Sequence, residues 1–306
     1  MKQISVIIST HNPKPSYLHR TLEALQQQTL PRQEWELILI DNRSDTPLSD
    51  GLNLSWHESP CAIREEKLGL TPARLRGIRE SRGKLLIFVD DDNVLDPNYL
   101  EESLRIAKGR PYLGSWSGQC RPEFEKPPAE WTRRYWGNLV IREFDTDRWS
   151  NLPRLAETMP CGAGLCVRRE VAERYLQLHD CGERDFQFDR MGDSLVSGGD
   201  NDLAACACDV GLGVGLITSL QLTHLIPSER LSLNYLSRLA EGIYYSGVIL
   251  DFERGGMAAA TQYRVRYIDW LRAFLYPPPH RTIQFAVLHG RNKAWSRLTN
   301  LHKHKA

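Results

Sequence analysis

Three consecutive aspartates, Asp90 to Asp92, stand directly behind the apolar run LLIFV at Leu85–Val89. An uninterrupted apolar run is typical of a central strand in a parallel sheet, because both faces of such a strand are covered. Ligands collect at the carboxyl ends of these strands. Like-charge repulsion disfavours the ionised form of adjacent carboxylates. We therefore expect the aspartates to face a hard cation with oxygen ligands, Mg²⁺ or Mn²⁺; the alternative is a solvated acidic turn.

Polar residues also follow two other predicted strands. STHN, Ser9–Asn12, ends the first strand, and DNRSD, Asp41–Asp45, ends the second. Such strand tips converge on one crevice, where Asp41 can accept a hydrogen bond from the imide N–H of uracil or thymine, unless it is only a turn former. Asp90 and Asp92 are spaced at the two-residue period of a strand, so their side chains point to the same side. One of them can reach a ribose and the other a metal.

Two later segments carry further candidate groups. In SGGDNDLA, Ser197–Ala204, glycines lead into Asp200 and Asp202 at the mouth of a helix, where helix capping is the alternative role. In LTHLIPSER, Leu222–Arg230, His224 follows an apolar strand. This histidine is either a partner for the carboxylate pair or a structural residue.

Strands and helices alternate in the first hundred residues. Strands are predicted for four apolar stretches: Ile4–Thr10, Trp35–Ile40, Cys61–Glu66 and Leu85–Asp90. Helices are predicted where leucines recur at helical spacing or a cap precedes proline: Leu18–Leu25, Thr71–Arg82 and Asp96–Gly109. This alternation implies right-handed βαβ units and a parallel sheet.

The middle of the chain, about 111–158, is predicted to be less regular and carries four tryptophans: Trp116, Trp131, Trp136 and Trp149. Such a stretch forms either a satellite cluster over the core or a stacking surface for a sugar or apolar acceptor. Beyond it, Cys161–Glu170 is predicted as a strand whose glycines let a ligand approach closely. Ser232–Leu250 is predicted as a helix, and Pro277–Pro279 interrupt helical structure.

The composition is that of an ordinary soluble globular protein, with 306 residues, 41% hydrophobic and 25% charged. The formal net charge is +1, so no overall field favours nucleic acid. The sequence shows neither a signal-peptide pattern nor an apolar run of about 18 residues, so we expect no transmembrane helix. The seven cysteines form no CxxC pair, which favours a reducing cytoplasm.

Together these motifs resemble those of inverting family 2 glycosyltransferases with the GT-A fold. The resemblance covers Ile4–Leu250, and its most specific part is GLTPARLRGIRESRGKLLIFVDDDNVLDPNYL with its spacing to GGDNDL. It implies an α/β fold of the GT-A nucleotide-diphospho-sugar transferase type, with a Rossmann-like, mostly parallel sheet flanked by helices. A glycosyltransferase domain would span 1–250, with a nucleotide-binding half, 1–110, and an acceptor-binding half, 111–250. A basic C-terminal helical extension, 251–306, would follow.

The resemblance also implies a set of site residues, with Asp200 as the catalytic base. The nucleotide-sugar would contact Thr10, Asn12, Asp41, Arg74, Asp90, Asp91 and Arg230. The metal, Mn²⁺ or Mg²⁺, would be held by Asp92, His224 and Asp90. The acceptor side would contain Asp202, Gly162 and Trp131. Two positions depart from the usual family pattern: Gly199 stands where Glu is common, which leaves Asp202 open as the base, and Leu75 stands where Asn is common.

The implied function is metal-dependent, inverting transfer of a sugar from a nucleotide-diphosphate donor, a UDP-sugar, to a saccharide or lipid-linked acceptor in polysaccharide or glycoconjugate synthesis. A dication suits the leaving diphosphate because negative charge gathers on it, and a carboxylate can take the acceptor proton. One alternative is a module that binds nucleotide-sugar without turnover. Another is an aspartyl-phosphate phosphatase, which DDDNV fits but the spacing within GGDNDLA does not.

The tail, 261–306, carries nine Lys or Arg residues against one acid, Asp269, interleaved with aromatic residues. Basic residues beside aromatic ones suit the headgroup zone of an anionic membrane; the alternative is a helical pair with a solvated basic face. No recognition motif accompanies the charge, so nucleic acid is not expected as a partner. The expected location is the cytoplasm, either free or peripheral on the inner membrane face.

Overall fold

The computed structural model describes residues 2–48, 51–184 and 195–305, with side chains as far as residue 300. Its strands are β1 (Ile4–Thr10), β2 (Trp35–Asp41), β3 (Pro60–Arg64), β4 (Leu85–Val89), β5 (Asn93–Leu95), β6 (Leu113–Phe124), β7 (Arg148–Ser150), β8 (Leu165–Arg168) and β9 (Gly213–Ile226). Its α-helices are α1 (Pro15–Gln26), α2 (Leu70–Glu80), α3 (Tyr99–Gly109), α4 (Arg169–Asp180), α5 (Gly199–Asp209), α6 (Leu233–Ala260), α7 (Tyr267–Ala273) and α8 (His280–Lys305). Short 3₁₀ helices cover Arg32–Glu34, Glu130–Leu139, Ser228–Leu231 and Thr261–Tyr263.

Within the described residues, nine strands form one sheet in the order β3-β2-β1-β4-β8-β6-β9-β5, with β7 paired to β9. The strands β3, β2, β1 and β4 run parallel. The pairs β4–β8, β6–β8, β5–β9 and β7–β9 are antiparallel. The predicted α/β class, with a Rossmann-like sheet flanked by helices, is confirmed.

Helices cover both faces of the parallel strands. On one face, Ile4 and Ile8 of β1 join a core cluster with residues of α1 and α3. On the other face, Ile7 of β1 and Ile40 of β2 join a second cluster with residues of α2, α4 and α5. This double coverage explains why these strands are almost continuously apolar.

The register of the sheet brings the chemically interesting residues to one edge. Thr10 lies beside Asp41 in the β1–β2 pair, and β4 runs parallel to β1 on its other side, so Asp90 follows at the same edge. The β5–β9 pair then sets Asn93 opposite His224. His224 therefore lies at the same edge of the sheet as the carboxyl ends of the parallel strands.

Packing groups the chain into two compact units. The first consists of Met1–Glu123, Val140–Glu183 and Asp200–Ile226, and the second of Phe124–Leu139, Arg184–Gly199 and Pro227–Ala306. In the second unit, α6 and α8 share an apolar cluster. Among the described helices, none is both long and apolar enough to cross a membrane. The predicted domain boundaries after residues 110 and 250 stay predictions.

The strand β6 corrects, at the start of the stretch 111–158, the prediction that this stretch is less regular than the first hundred residues. It has 12 residues, and its Trp116 is fully buried in the core. Glycine and serine weaken its strand signal, yet Gly118 is needed because a Cβ there would lie 2.1 Å from the carbonyl oxygen of Leu220. The segment forms a strand because it packs closely against a neighbouring strand, and no local sequence pattern shows this contact.

Two predicted boundaries also differ from the structure. In the stretch predicted as the strand Cys161–Glu170, only Leu165–Arg168 is a strand, and α4 follows directly. The helix predicted over Ser232–Leu250 extends to Ala260 as α6, with a break at Gly256, whose φ is 65°. Packing of α6 against α8 supports the additional turns.

Candidate active site at the sheet edge

The aspartate turn between β4 and β5 is closed by its own neighbour, Asn93. The backbone N–H of Asn93 donates to the Asp90 carbonyl oxygen at 3.0 Å, and the Asn93 Oδ1 accepts from the Asp90 N–H at 3.2 Å. The Asn93 amide also donates to Asp92 Oδ1 at 2.9 Å. Asn93 is fully buried, so it fixes the direction of Asp92. The sequence did not indicate this role, although Asn93 is the last residue of the DDDN motif.

Asp91 contacts the end of β1. The Thr10 hydroxyl donates a hydrogen bond to the Asp91 carboxylate. The contact joins the end of β1 to the turn after β4.

Asp92 and His224 form a buried pair. His224 Nε2 lies 3.3 Å from Asp92 Oδ2, and both side chains are less than one-tenth exposed. The Leu225 backbone N–H donates to the Asp92 carbonyl oxygen at 2.9 Å. Sheet pairing between distant segments thus brings the predicted histidine to the predicted carboxylate.

Asp90 sits among charges of both signs. Burial raises its pKa first, the Asp92 carboxylate raises it further, and Asp200 acts in the same direction. Arg74 and His224 oppose this rise without cancelling it. An added cation would relieve this concentration of carboxylates.

The chemistry of the donor set fits a hard divalent cation, but the protein supplies only part of a coordination shell. In the described ranges, no group of three or more His, Cys, Asp or Glu side chains is arranged to hold a metal ion. Mg²⁺ is typically bound through one or two carboxylates together with substrate phosphates. Asp90, Asp92 and His224 are suited to such a shared site.

Asp200 lies at the start of α5 and is held by a glycine. The Gly162 N–H donates to Asp200 Oδ2 at 2.7 Å. A Cβ at Gly162 would lie 3.0 Å from Arg74 Nη2 and 3.1 Å from Asp200 Oδ2, so only glycine fits without displacement. Asp200 is partly exposed, whereas Asp202 is fully buried. Of the two candidate bases, Asp200 is the one with solvent-accessible surface.

Asp41 organises the turn after β2. It accepts hydrogen bonds from the backbone of Ser44 at 2.9 Å and of Leu48 at 3.2 Å, and from Arg64 at 3.1 Å. Burial alone would raise the pKa of Asp41, but these hydrogen bonds and the Arg64 charge hold it below its ordinary value. The Ser44 hydroxyl donates to the same carboxylate. An ionised carboxylate offers about four acceptor positions, so these four donors occupy all of them, and a base N–H would have to replace one.

Asn12 ties the end of β1 to this same turn. Its Oδ1 accepts from the Asp45 N–H at 2.9 Å, its amide donates to Asp45 Oδ2 at 3.1 Å, and its own N–H donates to the Ser44 hydroxyl at 2.9 Å. The roles of Arg64, Ser44 and Asp45 escaped sequence reasoning, because the pairing of β2 with β3 and the shape of the turn create them.

The structure places most predicted site residues in the first unit: Thr10, Asn12, Asp41, Arg74, Asp90, Asp91, Asp92, Gly162, Asp200, Asp202 and His224. Two lie in the second unit. Arg230 is partly exposed in the short helix Ser228–Leu231, and the Trp131 ring packs edge-on against Tyr135 with centroids 6.3 Å apart.

The fold is of the nucleotide-diphospho-sugar transferase class. Its parallel strands end in polar turns, and clustered carboxylates and a histidine lie at the ends of these strands. The sequence model of glycosyl transferase family 2 matches residues 5–176, which is more than half of the chain. The chain belongs to this family, so the resemblance seen in its motifs is confirmed.

Curated relatives match a shorter part. EpsH, a putative glycosyltransferase of Bacillus subtilis, is 29% identical over 107 residues, 34% of this chain and 30% of that protein. TarP of Staphylococcus aureus, a poly(ribitol-phosphate) β-N-acetylglucosaminyltransferase, is 30% identical over 112 residues, 35% of this chain and 34% of that protein. The chain thus matches about a third of the length of these relatives.

Solved structures share the fold over nearly the whole chain. TarS residues 1–349 of S. aureus in complex with UDP superpose with a TM-score of 0.52 at 12% identity, covering 96% of this chain and 91% of that one. The complex of the same TarS fragment with UDP-GlcNAc has a TM-score of 0.52 and covers 96% and 92%. The fold prediction is confirmed, including the helical C-terminal region.

Proposed function

We propose that the protein is a metal-dependent, inverting glycosyltransferase that moves a sugar from a UDP-sugar to an acceptor hydroxyl. The observation that carries the proposal is the arrangement at one sheet edge. Asp90, Asp92 and His224 lie together after the ends of the parallel strands, and a partly exposed Asp200, bonded to the Gly162 N–H, acts electrostatically on Asp90. Family membership supports glycosyl transfer over the phosphatase alternative.

The donor side of the site is built to receive a diphosphate. Asp92 and His224, with Asp90 beside them, would hold Mn²⁺ or Mg²⁺ together with phosphate oxygens. When bound, the cation supplies positive charge that stabilises the departing diphosphate. Arg74 adds a buried positive charge near Asp90. The Thr10 hydroxyl holds the Asp91 carboxylate at the end of β1.

The nucleoside would lie against the turns after β1 and β2. The imide N–H of uracil would replace one of the four donors that now bond to Asp41, and Asn12 holds the adjoining turn in place. UDP and UDP-GlcNAc bound to TarS, a protein of the same fold, support a uridine donor.

Asp200 would act as the general base. A carboxylate that is ionised near neutral pH accepts the acceptor's proton late in the step, when the hydroxyl has become acidic. The Gly162 N–H occupies Oδ2 and orients the carboxyl group. Attack by one hydroxyl on the face opposite to the leaving diphosphate inverts the anomeric centre. The acceptor would be a saccharide or a lipid-linked acceptor in the cytoplasm, in polysaccharide or glycoconjugate synthesis.

The test compares Asp200→Asn with Asp209→Asn. Asparagine keeps an oxygen for the Gly162 N–H, so the variant should fold. We expect Asp200→Asn to lower kcat by roughly two decades or more and to leave UDP affinity near that of the wild type. Asp209 is exposed at the other end of α5, and its replacement should change neither quantity.

Two outcomes would contradict this assignment. If Asp202→Asn lowers kcat without disturbing the fold while Asp200→Asn does not, the base is Asp202. If the wild type binds UDP yet turns over no donor with any acceptor, the protein is a binding module.

A further inference from the structure

The short helix α7 and the turn after it expose large apolar side chains. Leu275 is 83% exposed and Tyr267 is 78% exposed. The other members of this apolar face are between two-fifths and three-fifths exposed: Ile268, Leu271 and Phe274. Contiguous apolar surface of this kind marks an interaction site in a folded protein.

One side of α7 packs on α8, and Phe274, at the margin of the apolar face, also contacts α8, with its ring centroid 5.0 Å from that of Phe285; the other four members of the face are exposed. Ala273 is buried, and the Trp270 ring stacks on Phe285 of α8 with centroids 6.0 Å apart. Hydrogen bonds from Phe274 to Leu271 and from Leu275 to Arg272 continue the winding beyond the helix. At about 100° per residue, the apolar face occupies one stripe of roughly 120°.

Positive charge borders this apolar face. Arg264, Arg266 and Arg272 are exposed around it. Arg264, Arg266 and Arg291 also line, with Asp269, a cavity of about 710 Å³. The Asp269 carboxylate accepts from the Arg266 N–H at 2.8 Å. It is the single acid of residues 261–306, against nine basic residues.

We propose that this surface docks on an anionic lipid bilayer. The apolar face would enter the boundary between headgroups and acyl chains, and the arginines would meet lipid phosphates. Tyr267 has the amphipathic ring that prefers this interface. A second copy of the chain is a poorer occupant, because a symmetric contact through this face would oppose arginines to arginines. Nucleic acid is also a poorer occupant, because the aliphatic side chains would remain exposed to water in such a complex.

Membrane docking is a property beyond glycosyl transfer itself. Its benefit rests on the proposed function, because docking would bring the enzyme to the bilayer in which lipid-linked acceptors reside. None of Arg264, Leu271, Arg272 and Leu275 belongs to the proposed active site. Failure of docking and failure of glycosyl transfer are therefore separate results.

The test is co-sedimentation of the full chain with vesicles. One set contains phosphatidylcholine and phosphatidylglycerol, and the other contains phosphatidylcholine only. We expect binding to the anionic set, weakened by salt. Leu271→Ser with Leu275→Ser should lower the partition coefficient about tenfold or more. Arg264→Gln with Arg272→Gln should lower it about fivefold per arginine, which corresponds to about 1 kcal/mol each.

The matched control substitutions lie in the first compact unit. Leu152 is 57% exposed, between Leu271 at 45% and Leu275 at 83%, so Leu152→Ser removes a leucine of comparable exposure outside the surface. Arg148→Gln removes an exposed arginine. Both should bind like the wild type, and circular dichroism melting should show that all variants fold. The proposal is overturned if the protein stays in the supernatant with both vesicle sets, or if the controls weaken binding equally. A dimer or DNA complex that depends on Leu271 and Leu275, without vesicle binding, also overturns it.

Discussion

Replacing Gly162 by alanine would disturb the proposed base without touching its chemistry. The new Cβ would lie 3.0 Å from Arg74 Nη2, 3.1 Å from Asp200 Oδ2 and 3.2 Å from Asp200 Cβ. Ordinary van der Waals contacts begin at 3.4 Å, so Asp200 or Arg74 must move by a few tenths of an ångström. A misplacement of about 1 Å costs about a hundredfold in rate. We therefore expect kcat to fall about three- to tenfold.

The assay is steady-state release of UDP with saturating donor and acceptor, together with UDP affinity by calorimetry. The matched control is Gly247→Ala, because a Cβ at Gly247 in α6 meets nothing within 4 Å. Gly247→Ala should leave kcat unchanged and raise the free energy of unfolding by about 1 kcal/mol.

A double variant shows whether Gly162 acts through Asp200. In the Asp200→Asn background, Gly162→Ala should cause almost no further loss of kcat, because the base is already absent. If Gly162→Ala slows the Asp200→Asn enzyme by the same factor as the wild type, the reasoning is refuted. An unchanged kcat in the folded single variant would refute it as well.

Two further predictions concern charge. Asp92→Asn removes a carboxylate proposed to hold the metal, so turnover should be lost. Because the variant keeps an oxygen for the Asn93 amide and relieves repulsion on Asp90, its free energy of unfolding without metal should stay equal or rise, and clear destabilisation in urea titration would contradict this. His57 packs on Trp35 with ring centroids 4.2 Å apart, and burial lowers its pKa to about 4 from the ordinary 6.5. Because the unfolded state gains the proton first as the pH falls, stability should drop by about 2 kcal/mol between pH 7.5 and 5. His57→Gln should lose this part of the pH dependence, and an identical pH profile in the variant would disprove the cause.

Much of the fold was accessible from sequence because its central strands are buried on both faces. β1 has the predicted bounds, and β2 and β4 differ from theirs by one residue. β6 was not accessible, because Gly118 is fixed by the approach of Leu220 across the sheet. Its strand character depends on a partner about a hundred residues away in sequence.

The candidate site shows the same division. The types and order of Asp90, Asp92 and Asp200 pointed to carboxylates at strand and helix ends, and all are found there. The contacts that orient them depend on register and turns: His224 reaches Asp92 through pairing of β5 with β9, and Arg64 reaches Asp41 from β3. No local pattern encodes such pairings, so their geometry needed the structure.

The most direct test of the proposed function is release of UDP from a panel of nucleotide-sugars, measured with Mn²⁺, with Mg²⁺ and with EDTA. The arrangement of Asp90, Asp92 and His224 predicts turnover of a UDP-sugar that requires the cation, stops in EDTA and is lost in Asp92→Asn. Turnover at the full rate in EDTA, or an unimpaired Asp92→Asn enzyme, would contradict a metal-dependent transfer at this sheet edge.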